Sequence, residues 1–262
     1  MTTVSVMGPV RSELMWQAVA DAVQIAGDGA LLDVLDLGGG TGGDAVRLAQ
    51  LGHRVTVVDP SPDALASLHR RGVEAGLGVP VTGVLGDSAD LLDHVPPASF
   101  DLVVCHGVLE HVDDPSEALA PVAAVLRPGG HLSVMVAGRN AAVAARALAG
   151  DFATAQTLLG RSATDWDLRT MGPRRFVLPE VEALLDDLAF VTVRSQGVRV
   201  FADLVPSAIV DGEPGARDAL LSLERLLTGS SEFAGLSAGL HTIAHLDLIA
   251  ATPDPGGKSA TL

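Results

Sequence analysis

Five short apolar runs alternate with helix-forming segments between residues 31 and 137, and this alternation constrains the fold more than any other feature. The runs are rich in Val and Leu and lie at Leu31–Leu37, Arg54–Val58, Val79–Leu85, Phe100–Cys105 and His131–Val136. Near-continuous apolar runs of this length are typical of strands that are buried on both faces of a sheet. Strands that alternate with helices pair in parallel through right-handed crossovers. The sequence therefore predicts an α/β fold with a doubly wound, mostly parallel sheet.

The rest of the chain predicts additions to this sheet and not a second domain. We expect a single domain over residues 1–250, with a core at 31–138 and a flexible tail at 251–262. The segment 139–176 is Ala-rich and then polar, which indicates a helical lid inserted after the fifth strand, before the C-terminal part of the sheet at 177–250. The other elements predicted are helices at Ser12–Ala26, Leu178–Leu188 and Ala216–Leu227, and strands at Phe190–Val200 and His241–Ala250.

Composition excludes several classes of protein and site. Apolar residues make up 48% of the 262 residues, which argues against disorder. Cys105 is the single cysteine, so the chain forms no internal disulfide and no multi-cysteine zinc site, and no His, Asp or Glu cluster has metal-ligand spacing. We therefore expect no bound metal. Without a signal peptide or membrane-spanning run, we expect a cytoplasmic protein.

The strongest motif is the glycine loop Asp36-Leu37-Gly38-Gly39-Gly40-Thr41-Gly42-Gly43, which follows a predicted strand and opens a predicted helix. Its Gly-x-Gly-x-x-Gly part matches the fingerprint of dinucleotide-binding proteins, a match that is weak on its own. The loop also matches the Asp-x-Gly-x-Gly-x-Gly pattern of class I methyltransferases, which use S-adenosylmethionine. Charge favours the second interpretation, because Asp36 would repel a pyrophosphate but attract the sulfonium and ammonium of S-adenosylmethionine.

Three further segments support the methyltransferase interpretation. Asp59 ends the second strand, where a carboxylate suits hydrogen bonds to a ribose diol. Gly86-Asp87-Ser88 places another carboxylate after the third strand, where an adenine amino group can be recognised. Leu126-Arg127-Pro128-Gly129-Gly130 resembles the Leu-x-Pro-Gly-Gly turn of the same methyltransferases. This resemblance implies a Rossmann-like, seven-stranded sheet whose last strand is antiparallel.

Four other segments resemble one family within that class, the tRNA 5-carboxymethoxyuridine methyltransferases, which methylate the carboxylate of a modified wobble uridine. They occur in the family's order at Val10–Gln17, His106–Pro115, Ala149–Phe152 and Gly197–Phe201. The resemblance extends from about Val10 to Leu246. One departure lies at Val136-Ala137-Gly138, where the family commonly has an aromatic residue followed by Asn.

The resemblance implies roles for particular residues. Arg11 would pair with the methionine carboxylate. From the arginine-rich pattern of residues 139–200, we also expect Arg199 to pair with a carboxylate on the substrate. His106, at the end of the fourth strand, would lie beside the transferring methyl group and count with Arg199 as catalytic. The complete set of residues expected to bind S-adenosylmethionine is Arg11, Asp36, Gly38, Gly39, Gly40, Asp59, Pro60, Asp87, Ser88, Ala89 and His106.

The methyl acceptor stays open between two classes. A carboxylate acceptor is already anionic and needs no general base, whereas a hydroxyl or amine acceptor would make His106 or His111 the candidate base. The net charge of −15 opposes nonspecific binding to polyanions, yet residues 139–200 carry eight arginines against seven acidic residues. The arginines there that we expect to contact the phosphates of a tRNA anticodon are Arg161, Arg169, Arg174 and Arg175. A small acidic metabolite is the alternative substrate, and a catalytically silent, cofactor-binding partner protein is a third hypothesis.

Overall fold

The computed structural model describes residues 7–247, and a seven-stranded sheet organises them. The strands are β1 Asp33–Leu37, β2 Arg54–Asp59, β3 Thr82–Leu85, β4 Phe100–His106, β5 Leu126–Ala137, β6 Phe190–Val198 and β7 Gly239–Leu246. They are arranged in the order β3-β2-β1-β4-β5-β7-β6. All neighbouring strands pair in parallel except β7, which is antiparallel to both β5 and β6. The prediction of a doubly wound sheet with an antiparallel last strand is confirmed.

Helices cover both faces of the sheet. They are α1 Met7–Gly27, α2 Gly43–Gln50, α3 Pro62–Glu74, α4 Leu91–His94, α5 Pro115–Val125, α6 Arg139–Leu148, α7 Phe152–Leu159, α8 Leu168–Met171, α9 Leu178–Asp187, α10 Ser207–Gly212, α11 Ala216–Leu227 and α12 Ser231–Ala234. The short helices α4, α10 and α12 were not predicted. Side-chain caps explain where the two longer helices α3 and α5 begin. Ser61 Oγ accepts from the amide of Ala64, and the Asp114 carboxylate accepts from the amides of Ser116 and Glu117.

The central strands are buried on both faces, as their apolar runs predict. Leu35 in β1 and Val103 in β4 are fully buried, and burying a side chain of this size stabilises the fold by about 1.5–3 kcal/mol. The prediction is wrong for β3, where Leu85 is 54% exposed. The reason is topological, since β3 is an edge strand with β2 as its single neighbour.

Helix α1 crosses the face of the sheet near the carboxyl ends of β4 and β5. Val10, Leu14 and Ala18 pack with Met135 of β5 and Val198 of β6. This packing fixes the start of the helix beside the carboxyl edge of the sheet. In open α/β sheets that edge is where ligands bind.

The segment 139–176, which we call the insertion, leaves and rejoins the sheet at the end of β5. The amide of Arg139 donates to the Phe176 carbonyl, and the amide of Phe176 donates to the Ala137 carbonyl. The Phe176 side chain is buried in the main core. Helices α6, α7 and α8 lie between these two anchored ends, so the predicted helical character of the insertion is confirmed.

The predicted ends of the two C-terminal strands require correction. Strand β6 stops at Val198 and not at Val200, because Arg199 adopts a positive φ of 62°, which breaks the extended backbone. Strand β7 ends at Leu246, and the predicted flexible tail at 251–262 lies outside the described residues. Across residues 7–247, no helix combines the length and apolar character that a membrane crossing needs.

Candidate active site

The glycine loop follows β1 directly and holds its backbone against neighbouring side chains. Gly38 has a φ of 70°, and a Cβ added there would lie 2.6 Å from Cγ2 of Val108. A Cβ added at Gly39 would overlap the carboxylate of Asp36. The loop therefore requires glycine at these two positions, and the absence of side chains lets a ligand approach the backbone closely at the carboxyl edge of the sheet.

Asp36 is a buried carboxylate beneath this loop, at 6% exposure. Burial raises the pKa of Asp36 to about 7, and the nearby charges of Asp44 and Asp59 add to the shift. Within residues 7–247, no arginine forms an ion pair with it. An uncompensated acidic group next to a ligand cavity favours a cation and opposes a diphosphate.

A cavity of about 820 Å³, which we call the Asp36 cavity, opens beside the loop. Its walls include Arg11, Asp36, Gly38, Gly39 and His106. All five belong to the predicted cofactor-binding set, so the fold brings the predicted methionine-binding residues together. Whether they bind the cofactor stays a prediction.

A second cavity, of about 800 Å³, lies on the other side of Gly38, and we call it the Asp59 cavity. The predicted ribose- and adenine-binding residues that line it are Asp59, Pro60, Asp87, Ser88 and Ala89. Gly38 lines both cavities, so one elongated ligand can extend from Asp36 to Asp87 across the glycine loop.

Backbone amides hold the Asp59 carboxylate in place. Oδ2 accepts from the amide of Gly40 at 2.8 Å, and Oδ1 accepts from the amide of Ser61 at 2.9 Å. Gly40, which was predicted to bind the cofactor, therefore orients Asp59 through its amide and does not line either cavity. Each carboxylate oxygen keeps a lone pair, and the carboxylate is oriented before any ligand arrives.

The turn after β3 is also held by its own hydrogen bonds. Asp87 Oδ1 accepts from the amide of Ala89 at 2.7 Å, and the Asp87 amide donates to Asp90 at the same distance. Asp87 is exposed to the cavity while Ser88 is buried. A fixed carboxylate and backbone at this position can receive hydrogen bonds from an adenine amino group.

His106 ends β4 and lines the Asp36 cavity. Its Nε2 lies 2.8 Å from the Ser133 hydroxyl, and its ring packs edge to face on the ring of His241, with centroids 5.4 Å apart. Burial, and secondarily His241, holds the pKa of His106 well below its usual range. The imidazole is therefore neutral at physiological pH.

Arg199 lies outside the walls of both cavities but is linked to the Asp36 cavity by Asp203. Asp203 Oδ1 accepts from Arg11 Nε at 2.6 Å, and Oδ2 accepts from Arg199 Nη1 at 3.1 Å. The Nε atom of Arg199 is buried and has no hydrogen-bond partner. Sequence reasoning missed Asp203, which lies in a loop without a recognisable pattern.

The insertion places its arginines differently from the prediction. Arg174 is 4% exposed and donates to the carbonyls of Ala163, Val112 and Asp113, so it pins the insertion to the loop after β4 and cannot contact a phosphate. A buried guanidinium is stable there because these carbonyls satisfy its donors. Arg161 pairs with Asp165 at 2.9 Å.

The other two of these arginines are accessible to different degrees. Arg169 is exposed, and Arg175 is half-buried, where burial lowers the pKa of its guanidinium and the nearby Glu110 opposes that shift. Phosphate contact by Arg161, Arg169 and Arg175 stays a prediction. Within residues 7–247, no group of three His, Cys, Asp or Glu side chains is arranged to hold a metal ion.

Comparisons with known proteins agree with this geometry. Residues 35–134 match the family described as methyltransferase domain. The chain is 28% identical over 238 residues to a tRNA 5-carboxymethoxyuridine methyltransferase of Escherichia coli (strain K12), covering 90% of this chain and 88% of that protein. It is 33% identical over 144 residues to a ubiquinone biosynthesis O-methyltransferase of Xanthomonas euvesicatoria pv. vesicatoria, covering 55% of this chain and 56% of that protein.

A solved structure gives the same fold. The 1,6-didemethyltoxoflavin-N1-methyltransferase of Burkholderia thailandensis, which contains S-adenosylhomocysteine, superposes with a TM-score of 0.55 at 22% identity, covering 89% of this chain and 78% of that chain. The buried carboxylate under the glycine loop and the oriented carboxylate of Asp59 fit a cationic, ribose-containing donor. Residues 35–134 are thus a methyltransferase domain, and the chain is an S-adenosylmethionine-dependent methyltransferase with a Rossmann-like fold.

Proposed function

We propose that this enzyme methylates a carboxylate, and that the carboxylate belongs to 5-carboxymethoxyuridine in tRNA. The observation that carries the proposal is the pair Arg11 and Arg199, which converge on Asp203 beside the Asp36 cavity. Asp203 neutralises part of this charge and leaves the buried Nε of Arg199 unpartnered. A planar guanidinium with free donors is suited to bind a carboxylate through two parallel hydrogen bonds, one to each oxygen.

The tRNA part of the proposal is supported by the extent of the similarity to the Escherichia coli enzyme. The match covers 90% of this chain, which is more than the methyltransferase domain at residues 35–134. A match of that length must take in most of the additions to the domain, which include α1 with Arg11, the insertion and β6 with the following Arg199.

The chain's own residues have few chemical steps to perform. When bound, S-adenosylmethionine supplies a methyl group bonded to a positively charged sulfur, which an anionic oxygen can accept directly. Asp36 and Arg11 would hold the methionyl end, and Asp59 the ribose. Arg199 would orient the acceptor carboxylate. Because that carboxylate carries no proton, alignment and exclusion of water account for the catalysis, and no side chain has to act as a base.

The insertion would cover this reaction as a lid. It is anchored at both ends to β5, close to the carboxyl edge where the cavities open. Arg169 on α8 is exposed, and Arg161 is engaged on one side by Asp165. These two side chains, with Arg175, would contact the phosphates of the anticodon loop.

Nucleoside mass spectrometry of tRNA tests this proposal. We expect tRNA from a strain that lacks the gene to accumulate 5-carboxymethoxyuridine and to lose its methyl ester. We expect the purified enzyme with S-adenosylmethionine to restore the ester on that tRNA, and an Asp59→Ala variant to fail. Unchanged levels of the methyl ester in the deletion strain would reject the tRNA substrate.

One observation favours a second candidate, a small carboxylic acid or hydroxyl metabolite. The ubiquinone biosynthesis relative has the higher identity, 33%, although its match covers little more than half of the chain. A metabolite methyltransferase would turn over small acids or phenols at rates that do not depend on added tRNA. Turnover of the small substrate with no salt-sensitive binding of tRNA would favour this candidate.

A further inference from the structure

A continuous chain of polar side chains runs from His106 through the interior to α1. The Ser133 hydroxyl lies 2.8 Å from Nε2 of His106 and 2.8 Å from Nε2 of His241. Nδ1 of His241 lies 3.1 Å from Nε2 of Gln196, which lies 3.3 Å from Asp21 Oδ2. Ser133, His241 and Gln196 are buried. We call the five connected residues the relay: His106, Ser133, His241, Gln196 and Asp21.

The direction of the hydrogen bonds is set at the Asp21 end. The Asp21 carboxylate also accepts from Gln17 and pairs with Arg194 at 3.5 Å, so it acts as an acceptor. The Gln196 side chain must therefore turn its NH₂ group, and not its carbonyl oxygen, toward Asp21. The same NH₂ group faces Nδ1 of His241, so Nδ1 accepts.

The donor and acceptor of each remaining hydrogen bond, from His241 to His106, follow from this assignment. Burial lowers the pKa of His241 to about 3, so this ring is neutral and carries its single proton on Nε2. That N–H donates to Ser133 Oγ, whose own proton is then available to His106 Nε2. His106 Nε2 accepts, which leaves the His106 proton on Nδ1.

The opposite arrangement carries a specific cost. If His106 held its proton on Nε2, two arrangements would be possible. In one, Ser133 Oγ accepts from both histidines, and its own buried O–H loses its acceptor. In the other, Ser133 donates to His241, which then holds its proton on Nδ1. That N–H would face the NH₂ group of Gln196, which places two donors against each other in a buried site. An unmade buried hydrogen bond costs about 1–3 kcal/mol. Protonating both nitrogens of His106 would likewise leave the Ser133 hydroxyl proton without an acceptor, because both histidines would donate to its oxygen.

We propose that Ser133, His241 and Gln196 are positioning residues that fix the Nδ1–H tautomer of His106, and that His106 donates this hydrogen bond to the anionic oxygen of the methyl acceptor. His106 lines the Asp36 cavity, and Nδ1 has no acceptor among the described residues. An Nδ1–H donor stabilises an oxygen that carries negative charge and cannot remove a proton from a hydroxyl or amine. The donor role rests on the proposed carboxylate substrate; the tautomer does not.

Long-range ¹H–¹⁵N correlation NMR of the protein without substrate tests the tautomer. We expect wild-type His106 to show a protonated Nδ1 and an unprotonated Nε2 at pH 7. A protonated Nε2, or a doubly protonated ring, would overturn the proposal. The Ser133→Ala variant interrupts the relay, so His106 is expected to show a mixture of both tautomers.

A double substitution that exchanges the two ends of the relay tests its direction. In D21N/Q196E the introduced carboxylate accepts from His241 Nδ1, so each hydrogen bond reverses and His106 is expected to hold its proton on Nε2. The control is His245→Gln. His245 lies on β7 and pairs with His131 outside the relay, with ring centroids 6.1 Å apart, so His106 is expected to keep the wild-type tautomer.

Kinetics separate this inference from the proposed function. With a carboxylate acceptor, D21N/Q196E is expected to lower kcat/KM about 10- to 100-fold, because the acceptor loses one hydrogen bond to its charged oxygen. The affinity for S-adenosylmethionine is expected to stay unchanged. Unchanged kcat/KM would overturn the donor role. A wild-type enzyme with the expected tautomer and no turnover of any carboxylate would instead refute the proposed function.

Discussion

Replacing Arg199 by methionine is expected to lower kcat/KM for a carboxylate acceptor by about two to four orders of magnitude. The substitution keeps the apolar stem and removes the guanidinium, so the acceptor loses two charge-assisted hydrogen bonds, each contributing about 1.5–3 kcal/mol. Binding of S-adenosylmethionine is expected to change less than about threefold, since Arg199 lies outside the walls of both cavities. Steady-state kinetics and calorimetry of the variant measure the two effects separately.

Two controls belong with the Arg199 experiment. Arg199→Lys keeps the charge without the planar fork and is expected to retain intermediate activity. Arg217→Met removes an exposed arginine of α11 and is expected to leave kcat/KM unchanged. Full activity of Arg199→Met on a carboxylate acceptor would show that the acceptor is bound by other groups.

The Asp59→Ala substitution is expected to weaken S-adenosylmethionine binding by about 100-fold or more. It removes the carboxylate proposed to hold the ribose, and it also leaves the amides of Gly40 and Ser61 without their acceptor. The loss of the ribose contact acts on the bound state alone, whereas the loss of the two amide hydrogen bonds also destabilises the glycine loop in the free protein. Calorimetric titration measures the change in Kd.

Asp63→Ala is the matched control for Asp59. Asp63 is an exposed carboxylate in the first turn of α3, four residues away, so its loss changes the local charge by the same amount. We expect the affinity of this variant to stay within about twofold of the wild type. Equal Kd values for Asp59→Ala and the wild type would place the ribose elsewhere.

The core of the sheet and the cofactor motifs were predictable because their signals are local. The buried strands β1 and β4 appear as apolar runs. Asp36 and Asp59 were identified as site residues because each lies near the carboxyl end of such a run. Carboxyl ends of parallel strands meet at one edge, so residues that end different runs come together without further information. The exposed edge strand β3 shows the limit, since its sequence does not reveal how many neighbours it has.

The rest of the site depends on tertiary contacts that leave no local pattern. Ser133 and His241 are 108 positions apart, and their contact follows from the antiparallel pairing of β5 with β7. Arg174 was predicted to face a phosphate, but carbonyls of a loop about 60 residues earlier in the chain receive its donors. The link between Arg11 and Arg199 requires Asp203, which only the folded chain places between them.

The most direct test of the central claim, that the loop above Asp36 binds a cationic methyl donor, is calorimetric titration with S-adenosylmethionine at pH 6 and pH 7. With the pKa of Asp36 at about 7, its ionised fraction rises between these values, while the ammonium group of the ligand stays protonated. We predict one binding site per chain and an affinity about fivefold higher at pH 7, because binding at pH 6 must first remove a proton from Asp36. If S-adenosylmethionine did not bind, or bound more tightly at pH 6 than at pH 7, the account would be contradicted. Binding of NAD⁺ in place of S-adenosylmethionine would contradict it as well.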